Sequence, residues 1–193
     1  MNDRATGTVF RDAIMLALLG FVAMVVMLIP FINPPTSGDD IPPPGNVIVE
    51  LRWPDGIDVD VDLWVQGPGD APVGYSRKSG RLFDLLRDDL GQLRDDTGLN
   101  FEFAFSRGAP AGDYTINAHL FSTRGVPPPV AVTMAATIRK DGRSVVAATK
   151  SGALEFIGHE LTLARFSLDA KGRLVAGSVH QLPKPLRTAG AGP

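Results

Sequence analysis

A chain of 193 residues with 21 acidic and 19 basic side chains, formal net charge −2, offers no basic stripe to neutralise phosphates, which speaks against a nucleic-acid partner. It has no cysteine, so disulfides, thiolate catalysis and cysteine metal sites are excluded. Its 44% hydrophobic content suffices for one modest folded domain, but that content is spread unevenly.

The first element is the apolar run Ala13–Ile32 (AIMLALLGFVAMVVMLIPFI), twenty residues without a charged or strongly polar side chain. A helix of that length extends about 30 Å, the thickness of the hydrocarbon core, so the run predicts a transmembrane helix. A cleaved signal peptide would have a shorter apolar region, roughly 7–15 residues, ending in an Ala-x-Ala-like site. This run leads instead into Asn33-Pro34-Pro35. Arg4 and Arg11 precede the helix, and the first charges after it are Asp39 and Asp40. Positive flanks stay in the cytoplasm, so residues 1–12 form a cytoplasmic N-terminus and the remainder lies outside.

Residues 33–45 hold five prolines, two glycines and two acids, the composition of a stiff, extended Pro-rich linker. Beyond it the pattern turns to period two. Val47, Val49, Leu51 and Trp53 alternate with Ile48, Glu50 and Arg52; Val59, Val61, Leu63 and Val65 alternate with Asp58, Asp60, Asp62 and Trp64. Further strands are expected at Leu99–Phe105, Tyr114–Phe121, Val130–Arg139, Ser144–Thr149, Leu154–Phe156 and Leu161–Leu168. Turn signals separate them, among them Pro54-Asp55-Gly56, Gly67-Pro68-Gly69 and Ala170-Lys171-Gly172. Lys140-Asp141-Gly142-Arg143 between two apolar runs is the clearest hairpin. Arg81–Leu93 reads equally as a short helix or an irregular excursion. The expected fold class is therefore a single N-terminal transmembrane α-helix followed by an all-β, antiparallel sandwich-like domain over residues 46–182, with a disordered tail over 183–193.

Signatures of catalysis are missing. His119, His159 and His180 are scattered, His159-Glu160 lacks the second histidine of a zincin motif, and neither a Gly-x-Ser-x-Gly elbow nor a Walker loop occurs. The sequence points to a protein that is not an enzyme. Asp55, Asp58, Asp60 and Asp62 are candidate Ca²⁺ ligands, the last three about 7 Å apart on one strand face. Calcium takes six to eight oxygens from a curved loop, which a flat strand supplies badly, so the plainer reading is a solvated acidic face.

Asp12 stands at the start of the apolar run. On a helical wheel it shares a face with Leu16, Gly20, Ala23 and Met27, while Ile14, Leu18, Phe21, Val25 and Ile29 lie opposite. Small residues on one side and bulky ones on the other suggest a helix that packs against protein along the Asp12 face. An ionisable group there can act as an ion or proton site; its plain alternative is an interfacial flank reaching headgroups and water.

The stretch Phe10-Arg11-Asp12-Ala13-Ile14-Met15-Leu16-Ala17-Leu18-Leu19-Gly20-Phe21 resembles the N-terminal anchor of the ExbD, TolR and MotB proteins, the B-type subunits of ion-driven membrane motors. These share an aromatic-x-Asp lead-in to one apolar helix and a periplasmic domain after a linker. The resemblance implies a homodimer of such helices threaded through a polytopic MotA- or ExbB-like partner in a bacterial inner membrane. Asp12 would carry the proton or Na⁺, with no other cofactor. The resemblance covers about 25 residues; neither the ExbD/TolR periplasmic module nor the MotB peptidoglycan-binding domain is found downstream. Asp60-Val61-Asp62-Leu63-Trp64-Val65 before Gly67-Pro68-Gly69 resembles a bacterial extracytoplasmic β-sandwich whose strand reads Asp-x-Asp-Leu-aromatic-Val. Two functions follow: a B-type stator subunit whose β domain is an output or anchoring module, or a tethered extracytoplasmic module that binds a protein, glycan or Ca²⁺.

Overall fold

From Asp3 to Ile32 the chain contains no residue that competes strongly with helical hydrogen bonding until Pro30, and it forms one unbroken helix, α1 (Asp3–Ile32). In this computed structural model, residues 3–32, 45–91 and 98–187 are described. The helix begins ten residues before the expected start at Ala13. Its stretch Gly7–Leu28 is long and apolar enough to cross a membrane, and all of those side chains are exposed. This matches an N-terminal membrane anchor. The linker expected at 33–45 lies outside the described residues except for Gly45.

The chain divides into two units, Met1–Pro42 and Pro43–Pro193. The second is built from β1 (Val47–Arg52), β2 (Asp60–Gln66), β3 (Phe83–Arg87), β4 (Phe101–Ser106), β5 (Gly112–Ser122), β6 (Val130–Lys140), β7 (Arg143–Leu154) and β8 (Glu160–Leu168). They form a five-stranded sheet in the order β3-β4-β1-β6-β7 and a three-stranded sheet in the order β2-β5-β8. Every ladder is antiparallel, as expected for the sandwich-like class.

The alternating residues explain the packing. Val47, Val49 and Leu51 of β1, Met134 and Ala136 of β6, Val61, Leu63 and Val65 of β2, and Ile116, Ala118 and Leu120 of β5 belong to one buried cluster. At one end Tyr114 stacks on Phe166 with centroids 5.2 Å apart and meets Phe83 edge-on at 6.1 Å. The expected hairpin joins β6 to β7: Lys140 pairs with Arg143, and Asp141 and Gly142 both take positive φ (49° and 72°), the signature of a type I′ turn.

Three expectations change. Ser144–Thr149 and Leu154–Phe156 belong largely to one strand, β7, which pairs with β6 along its full length. Within Arg81–Leu93, residues Phe83–Arg87 form β3 against β4 rather than a helix, since Phe83 and Leu85 alternate into the core. Residues 183–187, expected to be disordered, are fixed: Leu186 is fully buried, its N–H donates to Glu160 Oε1 (2.6 Å), and Lys184 N–H donates to Thr162 Oγ1 (3.0 Å). The rest of that tail lies outside the described residues.

Candidate functional site

Along α1, Asp12, Leu16, Gly20, Ala23 and Met27 fall within an arc of about 80°, at 100° per residue. Helical geometry thus gathers the residues expected on the packing face. Asp12 is the sole carboxylate between Gly7 and Leu28, and the helical backbone runs through it without a break.

In the β unit, alternation sends Val61, Leu63 and Val65 into the core and Asp60, Asp62 and Trp64 to the other face of β2. That face is not solvated, contrary to the plainer expectation. Asp60 and Asp62 are each 2% exposed. Trp64 is covered by Gly74 and Tyr75, whose ring meets it edge-on at 5.7 Å. A side-chain carbon added at Gly74 would lie 2.5 Å from the indole, so glycine alone allows this approach.

The four aspartates expected as Ca²⁺ ligands do not converge. Asp55 Oδ1 accepts the Asn100 N–H (2.9 Å) in an exposed turn. Asp58 Oδ1 accepts Arg124 Nη1 (2.9 Å), and Arg124 Nη2 stands 3.9 Å from Asp60 Oδ2. Asp62 Oδ2 lies 2.7 Å from Nδ1 of buried His119, whose Nε2 lies 3.0 Å from Arg187 Nη1. A guanidinium only donates, so Nε2 accepts and Nδ1–H donates to Asp62.

A different acidic group forms around Asp62. One carboxylate oxygen each from Asp62, Asp88 and Glu102 lie within 4.8 Å of one another. Glu102, on β4, is fully buried; its Oε2 accepts Leu63 N–H (2.6 Å) and its Oε1 accepts Asp89 N–H (3.2 Å). It thereby closes an edge of β2 with a side chain. Asp88 follows β3, its Oδ2 2.6 Å from Lys78 Nζ, and its side chain is 14% exposed. Burial pushes the Glu102 carboxyl well above the usual range; the Leu63 hydrogen bond opposes this and the charges of Asp62 and Asp88 add to it. Burial likewise raises Asp62 against the opposing His119 hydrogen bond. Asp60 is raised to about 7 by burial, with Asp62 adding and Arg124 opposing.

No protein-family model, curated protein or solved structure matches the chain. Its chemistry is therefore read from its own residues. Sequence reasoning singled out Asp62 but missed Asp88, Glu102 and the pairing of His119. The available signal was Glu102 itself, a lone acid amid the apolar strand Phe101–Ser106.

Proposed function

We propose that the chain is a membrane-anchored, non-catalytic B-type subunit of a proton- or sodium-driven stator complex, with Asp12 as the ion-carrying residue. Its N-terminus is cytoplasmic, α1 crosses a bacterial inner membrane, and the β domain is a periplasmic output or anchoring module. The observation that carries this reading is the placement of Asp12 as the sole carboxylate within the membrane-length stretch Gly7–Leu28 of an unbroken helix, aligned with Gly20 and Ala23. An ionisable group at the end of a spanning helix is retained where it faces protein or an ion path. The resemblance of Phe10–Phe21 to the ExbD, TolR and MotB anchors supplies the partner: a polytopic MotA- or ExbB-like protein surrounding a dimer of these helices.

A proton crossing about 150 mV releases roughly 3.5 kcal/mol, and coupling that energy requires a group that alternates between charged and neutral forms. Asp12→Asn keeps size and polarity but cannot alternate. The expected result is loss of ion-driven output, scored by complementation, with co-purification of the polytopic partner in mild detergent unchanged. Full complementation by Asp12→Asn removes the ion-carrier role. The tethered binding module then becomes the leading account, a second reading favoured by the buried acidic corner of the β domain.

A further inference from the structure

The β6–β7 hairpin, the turn after β8 and the entry to β1 meet at one end of the β unit. Asn46 O accepts Arg139 N–H (2.6 Å), and Asn46 Nδ2 donates to Arg139 O (3.2 Å), so the chain enters β1 beside the hairpin. Two clefts open there. One, of about 290 Å³, is lined by Asn46, Arg139, Lys140 and Lys171 among others. The other, of about 530 Å³, brings Lys140, Arg143 and Arg173 together with Ile138, Val145 and Leu174. Five cations thus gather around two adjoining clefts in a chain whose formal net charge is −2. The acids among them are Asp141, which lines both clefts, and Asp169, which pairs with Arg173 at 2.8 Å.

These cations are poorly neutralised. Arg143 and Lys171 have no acidic partner among the described residues, and Lys140 Nζ donates to a backbone oxygen, that of Lys171. Apolar surface lies beside them. Val145 and Val146, consecutive on β7, are 57% and 61% exposed at the edge of the five-stranded sheet. Cations next to exposed apolar side chains suit the boundary of a bilayer, where phosphates meet the first methylenes of the acyl chains. We infer that this end of the β unit docks on an anionic phospholipid surface, with Arg143 and Lys171 as headgroup contacts and Val145 and Val146 as shallow apolar ones.

Charge complementarity alone fits an acidic protein as well as a lipid; the tether selects the lipid. About 14 residues of chain separate Ile32, the end of α1, from Asn46, a reach of at most roughly 50 Å whatever course they take. The bilayer that holds α1 is therefore a surface presented to this patch at high effective concentration, and contacts too weak to bind from solution suffice to dock it. Each cation near an anionic surface multiplies the docked population about fivefold. Docking rests on α1 as a membrane anchor and is independent of any ion carried by Asp12.

The test exploits the absence of cysteine. Ser144→Cys places a single fluorophore beside the hairpin, and Glu155→Cys places one just past the other end of β7; both positions are exposed. The full-length chain is reconstituted in nanodiscs of phosphatidylcholine, with or without phosphatidylglycerol, and quenching by a nitroxide-headgroup lipid is measured against nitroxide-free discs. The expected result is strong quenching at position 144 in the phosphatidylglycerol discs, little in phosphatidylcholine alone, and little at position 155 in either. Raising NaCl from about 0.1 to about 1 M, which shortens the screening length from about 10 to about 3 Å, should release the domain. Arg143→Gln combined with Lys171→Gln should lower the ratio of docked to free domain roughly 25-fold, about fivefold per cation, with far-ultraviolet circular dichroism unchanged. Asp12→Asn should leave the quenching as it is, which separates this outcome from the fate of the ion-carrier role. Quenching at position 144 that is absent, indifferent to phosphatidylglycerol or untouched by the double substitution would overturn lipid docking and leave an acidic protein as the partner for these cations.

Discussion

Raising the pH should weaken the β unit, against the usual behaviour of a carboxylate-rich surface. Folding raises the Asp60 carboxyl from 3.8 to about 7. Between those values the folded state holds a proton that the unfolded chain has released, so stability falls as pH rises. The contribution is complete below about pH 4, declines through the interval to about pH 7, and is gone above it. A shift of about 3 units corresponds to roughly 4 kcal/mol at 1.36 kcal/mol per unit, a large part of the 5–15 kcal/mol that holds a domain together. Glu102, shifted in the same direction by burial, adds to the loss. Burial pushes the Asp70 carboxyl up, but the N–H groups of Leu82, Ala71 and Arg81 together with the Arg77 charge outweigh it and shift it downward, so its contribution disappears only as pH drops below about 4 and does not offset the trend. The assay is urea unfolding of residues 43–193 in EDTA at half-unit steps from pH 4 to 8. This unit encloses the whole buried cluster. Asp60→Asn should flatten much of the slope. Stability that rises with pH across this interval, or a slope untouched by Asp60→Asn, would refute the reasoning.

Two further outcomes follow from packing. A β unit ending at Leu182 should lose about 2–4 kcal/mol relative to one ending at Pro193, since it forfeits the buried Leu186 and the backbone donors satisfying Glu160; equal urea midpoints would contradict the assigned role of 183–187. Gly74→Ala should cost about 1–3 kcal/mol and change Trp64 fluorescence, because its new carbon meets the indole; an unchanged emission spectrum and midpoint would argue against that close approach.

Much of this architecture was legible because local pattern and burial agree. Val47, Val49 and Leu51 announce β1, and Asp141-Gly142 announces the β6–β7 turn, since the residue types meet the backbone's demands directly. Legibility fails where parity misleads. In β4 the apolar signal comes from Phe101, Phe103 and Phe105, yet Glu102, Ala104 and Ser106 are the buried set. The outward Phe101 is compensated by the guanidinium groups of Arg87 and Arg52, 4.0 and 5.1 Å from its ring centroid. Nothing in the spacing reveals those partners. The acidic corner was hidden for a related reason. Its residues are 26 and 14 positions apart in the chain (62 to 88 and 88 to 102) and meet only through sheet topology. Leu186 was missed because a single anchor among prolines has no periodicity.

The position of β1 bears on how this protein withstands load. The first strand after the linker is the middle one of five, with β4 on one side and β6 on the other. Directly ahead of it, Asn46 N–H donates to Ser106 O (3.1 Å), and Asn46 O accepts Arg139 N–H (2.6 Å). Tension arriving through residues 33–45 would meet two antiparallel ladders at once, pulling along β1 in shear. An edge strand would instead peel open one bond at a time. Threaded this way, a tether can transmit force into the domain's interior before it unravels the domain.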